Sequence, residues 1–574
     1  MLPGAYTIIG SISLSVLIAF IPFLFKKLIG NIIEITLIIV SLAYLFIAYP
    51  FTEAIMLFSL MAMMYGNLGV IFNKNKRNKR YQLKQELADC NYSIINQEKD
   101  IKRISVDVIL AVVISAGAIV FLLFAPQIYS VLKFLIGIGL ITLITQLIAR
   151  VGNALFTKVY WLPQQERLII LSTFESRDLP VNDLEEVQVE SSPDLLKLHP
   201  LFTFLSENQD YTTSFHQVLR LSFPSENIYF TPNNVRAWQN IFIDYVDDEE
   251  KQEKHVLPLW HPKNLKRLFW KGYFAMTVKG ISAYTGLLFI LIWLDVPSYI
   301  MITFVLMWWL FNLYVSDRLL IAGTDAVELT EGHLYNEAQE LFRRAGIPNI
   351  KLFLIDSPVH NGLANGMNIG RGTIMLTTST TQLSLESIQA ILAHEIIHIK
   401  KRDVLINQIT RLVMFLLLGL IIYVFFDYIT LLAENMVLFI ITIYITMTVL
   451  PIYLSFVAQL TEVRADFLGG RLLVGGTRQM AEGLKELGLA LDAARDKKFQ
   501  YSITDEKPMK ETSNTARDNW FFRFIEFQFQ AHPPLYWRIK TLYSSLSWCQ
   551  MVTAWLGGRI KESIPDWGRR KVKS

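Results

Sequence analysis

The sequence predicts a multi-span α-helical membrane protein that carries an α+β domain and a small β-rich insertion. Three observations carry this expectation. The chain has 574 residues, 52% of them hydrophobic and 18% charged, at a mean hydropathy of +0.35; soluble proteins carry about a quarter charged residues. The apolar excess gathers into runs long enough to cross about 30 Å of hydrocarbon. Two longer polar segments between those runs show strand-like and helical patterning. The net charge of +4 is small, and nothing in its distribution marks a nucleic-acid partner. The two cysteines, Cys90 and Cys549, imply neither a disulfide framework nor a cysteine metal site.

Nine apolar runs stand at roughly 5–25, 31–49, 52–72, 106–124, 131–149, 274–294, 297–315, 412–431 and 436–456. The first lacks a basic leader and a clear small-residue cleavage site, so it reads as a retained span. Lys279, near one end of the sixth run, can snorkel to the interface. Lys26-Lys27, the cluster from Lys74 to Lys84, Arg150, the Lys263–Lys271 group and the tail Arg569–Lys573 are basic. The loops near Pro50, 125–130, 295–296 and 433–435 lack lysine and arginine. The positive-inside rule then puts the N-terminus outside and everything after 456 in the cytoplasm. The expected organisation is a membrane region at 1–149 with five spans and a basic cytoplasmic loop, then a β-rich insertion at 150–272. Spans six and seven follow at 273–315, and a domain at 316–574 encloses spans eight and nine (412–456). The bilayer is the first implied partner, and the cell membrane the implied location.

In the insertion, 168–174, 184–189, 217–223 and 228–230 read as short strands. Leu219, Leu221 and Phe223 alternate as in a half-buried strand. A helical stretch from Asn234 through Phe242 closes the segment. Strands followed by one closing helix resemble a small bacterial pleckstrin-homology-like (PH-like) domain. Such a module can bind a lipid head group or a peptide; a structural β domain packed on its neighbours is the equal alternative.

In the second polar segment a helical pattern covers Ala326–Ala345. The strand Lys351–Ile355, a loop with Gly362, Asn365 and Gly366, and a β-prone run at 373–378 follow. Ser384 is the expected N-cap of the next helix, with Glu386 in its first turn. That helix carries His394-Glu395-Ile396-Ile397-His398 and is expected to reach Arg402 or continue into the eighth span. Histidines four apart share one helix face, about a turn apart. Two neutral imidazoles there can hold one zinc ion, and Glu395 can take a proton from its water. Two histidines can also fall on one face by accident. A peptidase site needs a third ligand, and Glu462, just past the ninth span, is the strongest candidate. Two crossings return the chain to the same side of the membrane and bring Glu462 beside the motif helix. Asp466, one turn on, can accept the second ring N–H of a zinc histidine. The alternative is that Glu462 and Asp466 are solvated charges at a helix end.

Three separated motifs, in order and flanking spans, carry a resemblance. They are His394–Asp403 (HExxH with an aspartate five beyond), Glu462–Asp466 (ExxxD) and His532-Pro533-Pro534-Leu535-Tyr536-Trp537-Arg538-Ile539. Over about 320–545 the chain resembles the HtpX and CAAX-prenyl-protease family of integral-membrane zinc endopeptidases. The resemblance implies a zincin-like α+β catalytic domain with one Zn2+ per chain on His394, His398 and Glu462, and Glu395 as base. It implies that Asp466 orients a zinc histidine, with Asp403 in support. His532 would stand near the oxyanion and Arg538 would anchor its loop. Asn361-Gly362-Leu363-Ala364-Asn365-Gly366 resembles the family's substrate loop, departing from it at Gly362, Leu363 and Asn365. Asn361, Ala364 and Gly366 become substrate-binding candidates. The β-prone stretch with Ile374 and Leu376 resembles the edge strand that holds an extended polypeptide by strand addition. His360 adjoins this loop; the other histidines have no ligand-like spacing.

The sequence therefore points to a zinc metalloendopeptidase acting on membrane or membrane-delivered polypeptides from the cytoplasmic side, in quality control or peptide maturation. The competing class is a non-proteolytic membrane scaffold or lipid sensor built on 150–272. An intact ligand set argues against it, since a scaffold has no need of Glu395.

Overall fold

The computed structural model describes residues 4–25, 27–71, 74–125, 130–172, 176–199, 202–246, 254–258, 260–279, 291, 295–365, 372–428, 436–503 and 512–565. Among the described residues, six helices are long and apolar enough to cross a membrane: Ile29–Ala48, Ile101–Phe124, Ile136–Phe156, Ser298–Thr324, Asp403–Ile421 and Tyr444–Leu472. Ala5–Phe20 is apolar but shorter. The third expected span is the helix Phe51–Ile71, and the sixth, 274–294, falls mostly outside the described residues. Side chains such as Ile109, Val113 and Phe415 point outward with more than half their surface open. That arrangement is stable only against hydrocarbon.

Two compact units divide the chain. The first comprises Met1–Asp194, Asn208–Leu257 and Lys498–Lys507. It holds the N-terminal helices and two four-stranded sheets. One sheet has the order β1 (Ser93–Ile95), β2 (Lys158–Leu162), β3 (Arg167–Leu171), β4 (Arg177–Pro180). The other contains β5 (Glu186–Glu190), β6 (Asn208–Tyr211), β7 (Val218–Phe223) and β8 (Glu226–Phe230), in the order β5-β7-β8-β6. Their shared core includes Val159, Trp161, Leu219, Leu221, Phe223 and Phe230. The expected alternation in β7 is absent: all six of its residues are buried. The helix Val235–Ile243 closes the module, capped by Asn234 and packed through Phe242 on Trp161 at 5.4 Å between ring centroids.

This β unit is not confined to the expected 150–272. β1 comes from the loop before the fourth span and pairs Ser93 with Trp161. A three-residue strand is too short to show a period. Tyr501 is wholly buried in the same core, its hydroxyl donating to Asp183 Oδ2 at 2.8 Å. Residues 258–272 belong to the second unit, where they start the helix Pro262–Phe274.

The second unit comprises Leu195–Glu207, Pro258–Lys497 and Pro508–Ser574. Its sheet contains β9 (Val327–Leu329), β10 (Ile350–Ile355), β11 (Gly362–Asn365) and β12 (Gly372–Thr377), in the order β11-β12-β10-β9. The helix expected from Ala326 begins only at His333, because 327–329 pairs with β10 instead. The β-prone run is not the edge strand. β12 lies inside the sheet, parallel to β10 and antiparallel to β11. Ile374 and Leu376 are fully buried core residues, so they are not open to a substrate. A run buried on both sides has the same β-branched, apolar composition as an edge run, so propensity could not separate them. Among the described residues the edge strands are β11 and β9, and β11 is the one beside Glu395.

The motif helix Leu385–Lys401 packs on this sheet through Ile391 and Ile396. Ser384 caps it, with Oγ accepting from the Ser387 N–H. The helix does not run on into the eighth span. Arg402 takes a left-handed conformation (φ 56°), and a separate helix, Asp403–Val424, starts there. The long helix Met436–Leu472 crosses the motif helix closely. A Cβ on Gly469 would sit 3.2 Å from the Ala393 backbone. This close approach brings the C-terminal part of the long helix onto the HExxH face.

Candidate metal centre

His394 and His398 lie one turn apart on the motif helix, and Glu462 faces them from the long helix. One ligand atom from each lies within 4.8 Å of the others. His394 Nε2 and His398 Nε2 are 3.0 Å apart. Glu462 Oε2 lies 3.2 Å from His394 Nε2, and Oε1 lies 3.3 Å from His398 Nε2. Zinc–ligand bonds of ~2.0–2.1 Å in a tetrahedron give ligand–ligand edges of about 3.3 Å. The three distances, two of them to different oxygens of Glu462, are close to that value.

The outward ring nitrogens supply a second test of fit. His398 Nδ1 is 2.8 Å from Asp403 Oδ2, and His394 Nδ1 is 2.9 Å from Asp466 Oδ1, the latter off the line of an ideal hydrogen bond. A proton kept on each Nδ1 leaves two Nε2 lone pairs facing one another at 3.0 Å. That pairing is repulsive unless a cation lies between them. The donor set, two imidazoles and a carboxylate, is the one zinc takes in hydrolytic sites.

Each carboxylate is itself held by an arginine. Arg464 Nη2 reaches Asp403 Oδ1. Arg538 grips Asp466 with Nε on Oδ2 at 2.8 Å and Nη2 on Oδ1 at 2.7 Å. Burial pulls the Arg538 guanidinium toward neutrality, but Asp466 and then Glu462 outweigh it and hold its pKa above the ordinary range. Burial likewise disfavours a charged His394 or His398; the neighbouring carboxylates of Asp466, Glu462 and Asp403 override it and raise both.

Glu395 is nearly buried and lies beside β11, where a Cβ on Gly362 would come 3.6 Å from Glu395 Cγ. His532 is mostly exposed and sets Nδ1 2.8 Å from Glu462 Oε2, so it borders the cluster. Asn361 is fixed by its backbone: its N–H meets Thr380 Oγ1 at 2.8 Å, and its carbonyl accepts from the Thr377 N–H at 3.2 Å. Ala364 pairs with Ile374 in the β11–β12 ladder. Gly366 lies outside the described residues. Ile374 and Leu376 support the floor of the site rather than line it.

Sequence reasoning missed Arg464, Glu486 and the use of Gly362. Arg464 sits inside the ExxxD segment, and its position there was the available signal. Glu486 takes the Ser384 N–H at 2.8 Å and both serine hydroxyls at the start of the motif helix. It is 102 residues away from Ser384, so only the fold reveals it.

Residues 328–545 match the model of peptidase family M48. Residues 158–246 match that of the bacterial PH domain. The Protease HtpX homolog of Pelotomaculum thermopropionicum is 36% identical over 104 residues, 17% of this chain and 37% of the relative. That of Thermodesulfovibrio yellowstonii is 34% identical over 103 residues, 17% of this chain and 36% of the relative. The chain thus spans little more than a third of the length of these curated relatives. The crystal structure of S. mikatae Ste24p aligns at 18% identity with a TM-score of 0.33, over 48% of this chain and 66% of that one. A score that low adds nothing to the case. With its apolar helices, the chain is a multi-pass membrane protein with an M48 domain and a small PH-type β module.

Proposed function

We propose that this chain, a member of the HtpX and CAAX-prenyl-protease family of membrane metalloproteases through its M48 domain, is a zinc-dependent endopeptidase for membrane or membrane-delivered polypeptides. The single observation that carries the reading is the convergence of His394, His398 and Glu462 with Glu395 alongside.

In this reading His394, His398 and Glu462 hold one zinc ion, which when bound supplies Lewis acidity and acidifies a water. Glu395 takes the proton of the attacking water and passes it to the leaving amine. Asp403 and Asp466 keep the histidine protons on Nδ1, so that each Nε2 stays a ligand. Arg464 and Arg538 hold those carboxylates in place and aimed. The free edge of β11 receives the substrate as an added strand, through backbone groups that read little sequence. A folded target must therefore first offer a loose segment. His532 stands within reach of the reacting carbonyl as a hydrogen-bond donor. The alternation of basic loops with loops free of lysine and arginine supports a cytoplasmic centre and an external N-terminus. The PH-type module recruits or regulates, binding a lipid head group or a peptide.

The deciding experiment compares purified wild type with Glu395→Gln. Both should hold one zinc per chain, and only wild type should cleave an unstructured peptide. A metal-free wild type with no peptidase activity would favour the scaffold reading built on the β module.

A further inference from the structure

We propose that the helices Trp520–Phe529 and Trp548–Lys561 are sunk into the lipid surface from which the long helix emerges. They thereby hold the candidate metal centre at a fixed height above it, so the preferred scissile bond lies within a few residues of a substrate's membrane anchor. The statement about substrates rests on the peptidase reading; the statement about lipid does not.

Both helices are fastened to one short stretch of the long helix. Gln459 is fully buried, and its side-chain amide donates to the carbonyls of Glu526, Phe527 and Gln530 at 2.9–3.0 Å. Its oxygen accepts from Trp555 Nε1 at 3.2 Å and Arg559 Nη1 at 2.8 Å. One turn earlier, Ser455 Oγ donates to the Gln528 carbonyl at 2.6 Å. The ring of Phe456 meets Trp555 at 4.8 Å between centroids, tilted by 50°. On the other side of this stretch the long helix exposes large apolar side chains. Tyr444, Ile445 and Val449 are each more than half exposed. The polar anchor points therefore follow directly on this open apolar stretch of the long helix.

The same two helices leave large apolar side chains open. Phe521 is 50% exposed and Ile560 67%, Trp520 and Leu556 are open too, and Ile564, just past the second helix, is 55% exposed. Leu556 and Ile560 are four apart and share a helix face, next to the Trp555 that touches the span. Water would penalise such a patch. The headgroup–acyl boundary accommodates it, as it does amphipathic helices that lie in the interface plane. Continuity with the span identifies the occupant as the bilayer rather than a second protein.

A distance follows. Six residues separate Phe456 from Glu462, about 9 Å along a helix at 1.5 Å per residue. An extended polypeptide covers that height in about three residues at ~3.3 Å each.

The test uses the full-length chain in phosphatidylcholine–phosphatidylglycerol vesicles. A bimane probe on Ile560→Cys, in a Cys90→Ser/Cys549→Ser background, is exposed to doxyl-labelled lipid. The control is Val474→Cys, 90% exposed and just beyond the end of the long helix. Quenching should be several-fold stronger at 560. Equal, weak quenching at both sites overturns the lipid docking. The second arm offers single-span substrates with one cleavable sequence placed about three, eight or thirteen residues from the anchor. The shortest spacing should be cleaved several-fold faster. Ile560→Glu/Ile564→Glu should flatten that preference while cutting a soluble peptide at the wild-type rate. Clear cleavage with no spacing preference in wild type refutes the fixed height. No cleavage of any peptide sinks the peptidase reading, and with it the substrate statement, while quenching still decides the docking.

Discussion

Arg538 holds Asp466 through two parallel hydrogen bonds of 2.8 and 2.7 Å in the protein interior. Asp466 is thereby turned to the ring nitrogen of His394, 2.9 Å away. The HPP-box residue, whose Nη2 also lies 3.8 Å from Glu462 Oε2, thus reaches the candidate metal centre through Asp466. Arg464 does the same for His398 through Asp403. Both imidazoles are oriented from behind by a carboxylate that is itself clamped.

Removing Arg538 leaves the buried Asp466 carboxylate without its guanidinium partner. Breaking such a pair costs about 3–5 kcal/mol, and losing the support behind a metal histidine weakens affinity about 10–100-fold. Arg538→Met should therefore lower both the unfolding temperature and zinc retention against a competing chelator. Arg538→Lys keeps the charge but not the fork and should fall between. Wild-type zinc retention in Arg538→Met would show that Asp466 needs no clamp.

The centre was legible in the sequence because a helix period and a topology sufficed. Spacing put His394 and His398 on one face, and two crossings returned Glu462 to it. The clamps were not legible, since Arg538 and Asp466 are 72 residues apart and meet only in the folded core. The edge strand was misplaced for a different reason. β11 is four residues long with a glycine and an asparagine, so it reads as a loop. β12 carries the strong strand signal because it is buried on both faces. In the β unit, β1 and Tyr501 come from distant parts of the chain, and no local pattern links them to 158–246.

Metal and protons should compete for the histidines. Without metal, His394 and His398 have raised pKa values. The stability this gives is complete below the unfolded value and disappears as pH rises through the folded one. Metal needs the neutral rings, so its binding strengthens as pH rises. The gain in unfolding temperature on adding zinc to chelator-stripped protein should therefore grow from below about pH 6.5 to above it. A gain independent of pH would indicate a metal bound elsewhere, as would stoichiometric zinc in His394→Ala/His398→Ala.

Orientation is open to direct measurement. Labelling or reporter fusions at 435 and 500 should give opposite answers, outside and inside, because the basic loops alternate with loops free of lysine and arginine. The same answer at both sites breaks the nine-span count.

Gly362 decides how closely the free strand edge approaches Glu395. A Cβ there would lie 2.7 Å from Ile391 Cγ2 on the motif helix and 3.4 Å from Leu376 Cδ2. Real Cβ atoms do not approach that closely, so Gly362→Ala must lift β11 or shift the helix. Overpacking of this kind costs about 1–3 kcal/mol. Because β11 is the proposed substrate edge, the larger effect should fall on turnover, through misplacement of the extended chain relative to Glu395. Ile391→Ala removes the atom in the way. The double variant Gly362→Ala/Ile391→Ala should regain activity relative to Gly362→Ala, even though Ile391→Ala alone costs stability by opening the core. Strictly additive losses in kcat/KM would mean that the clash is relieved elsewhere and that β11 does not place the substrate.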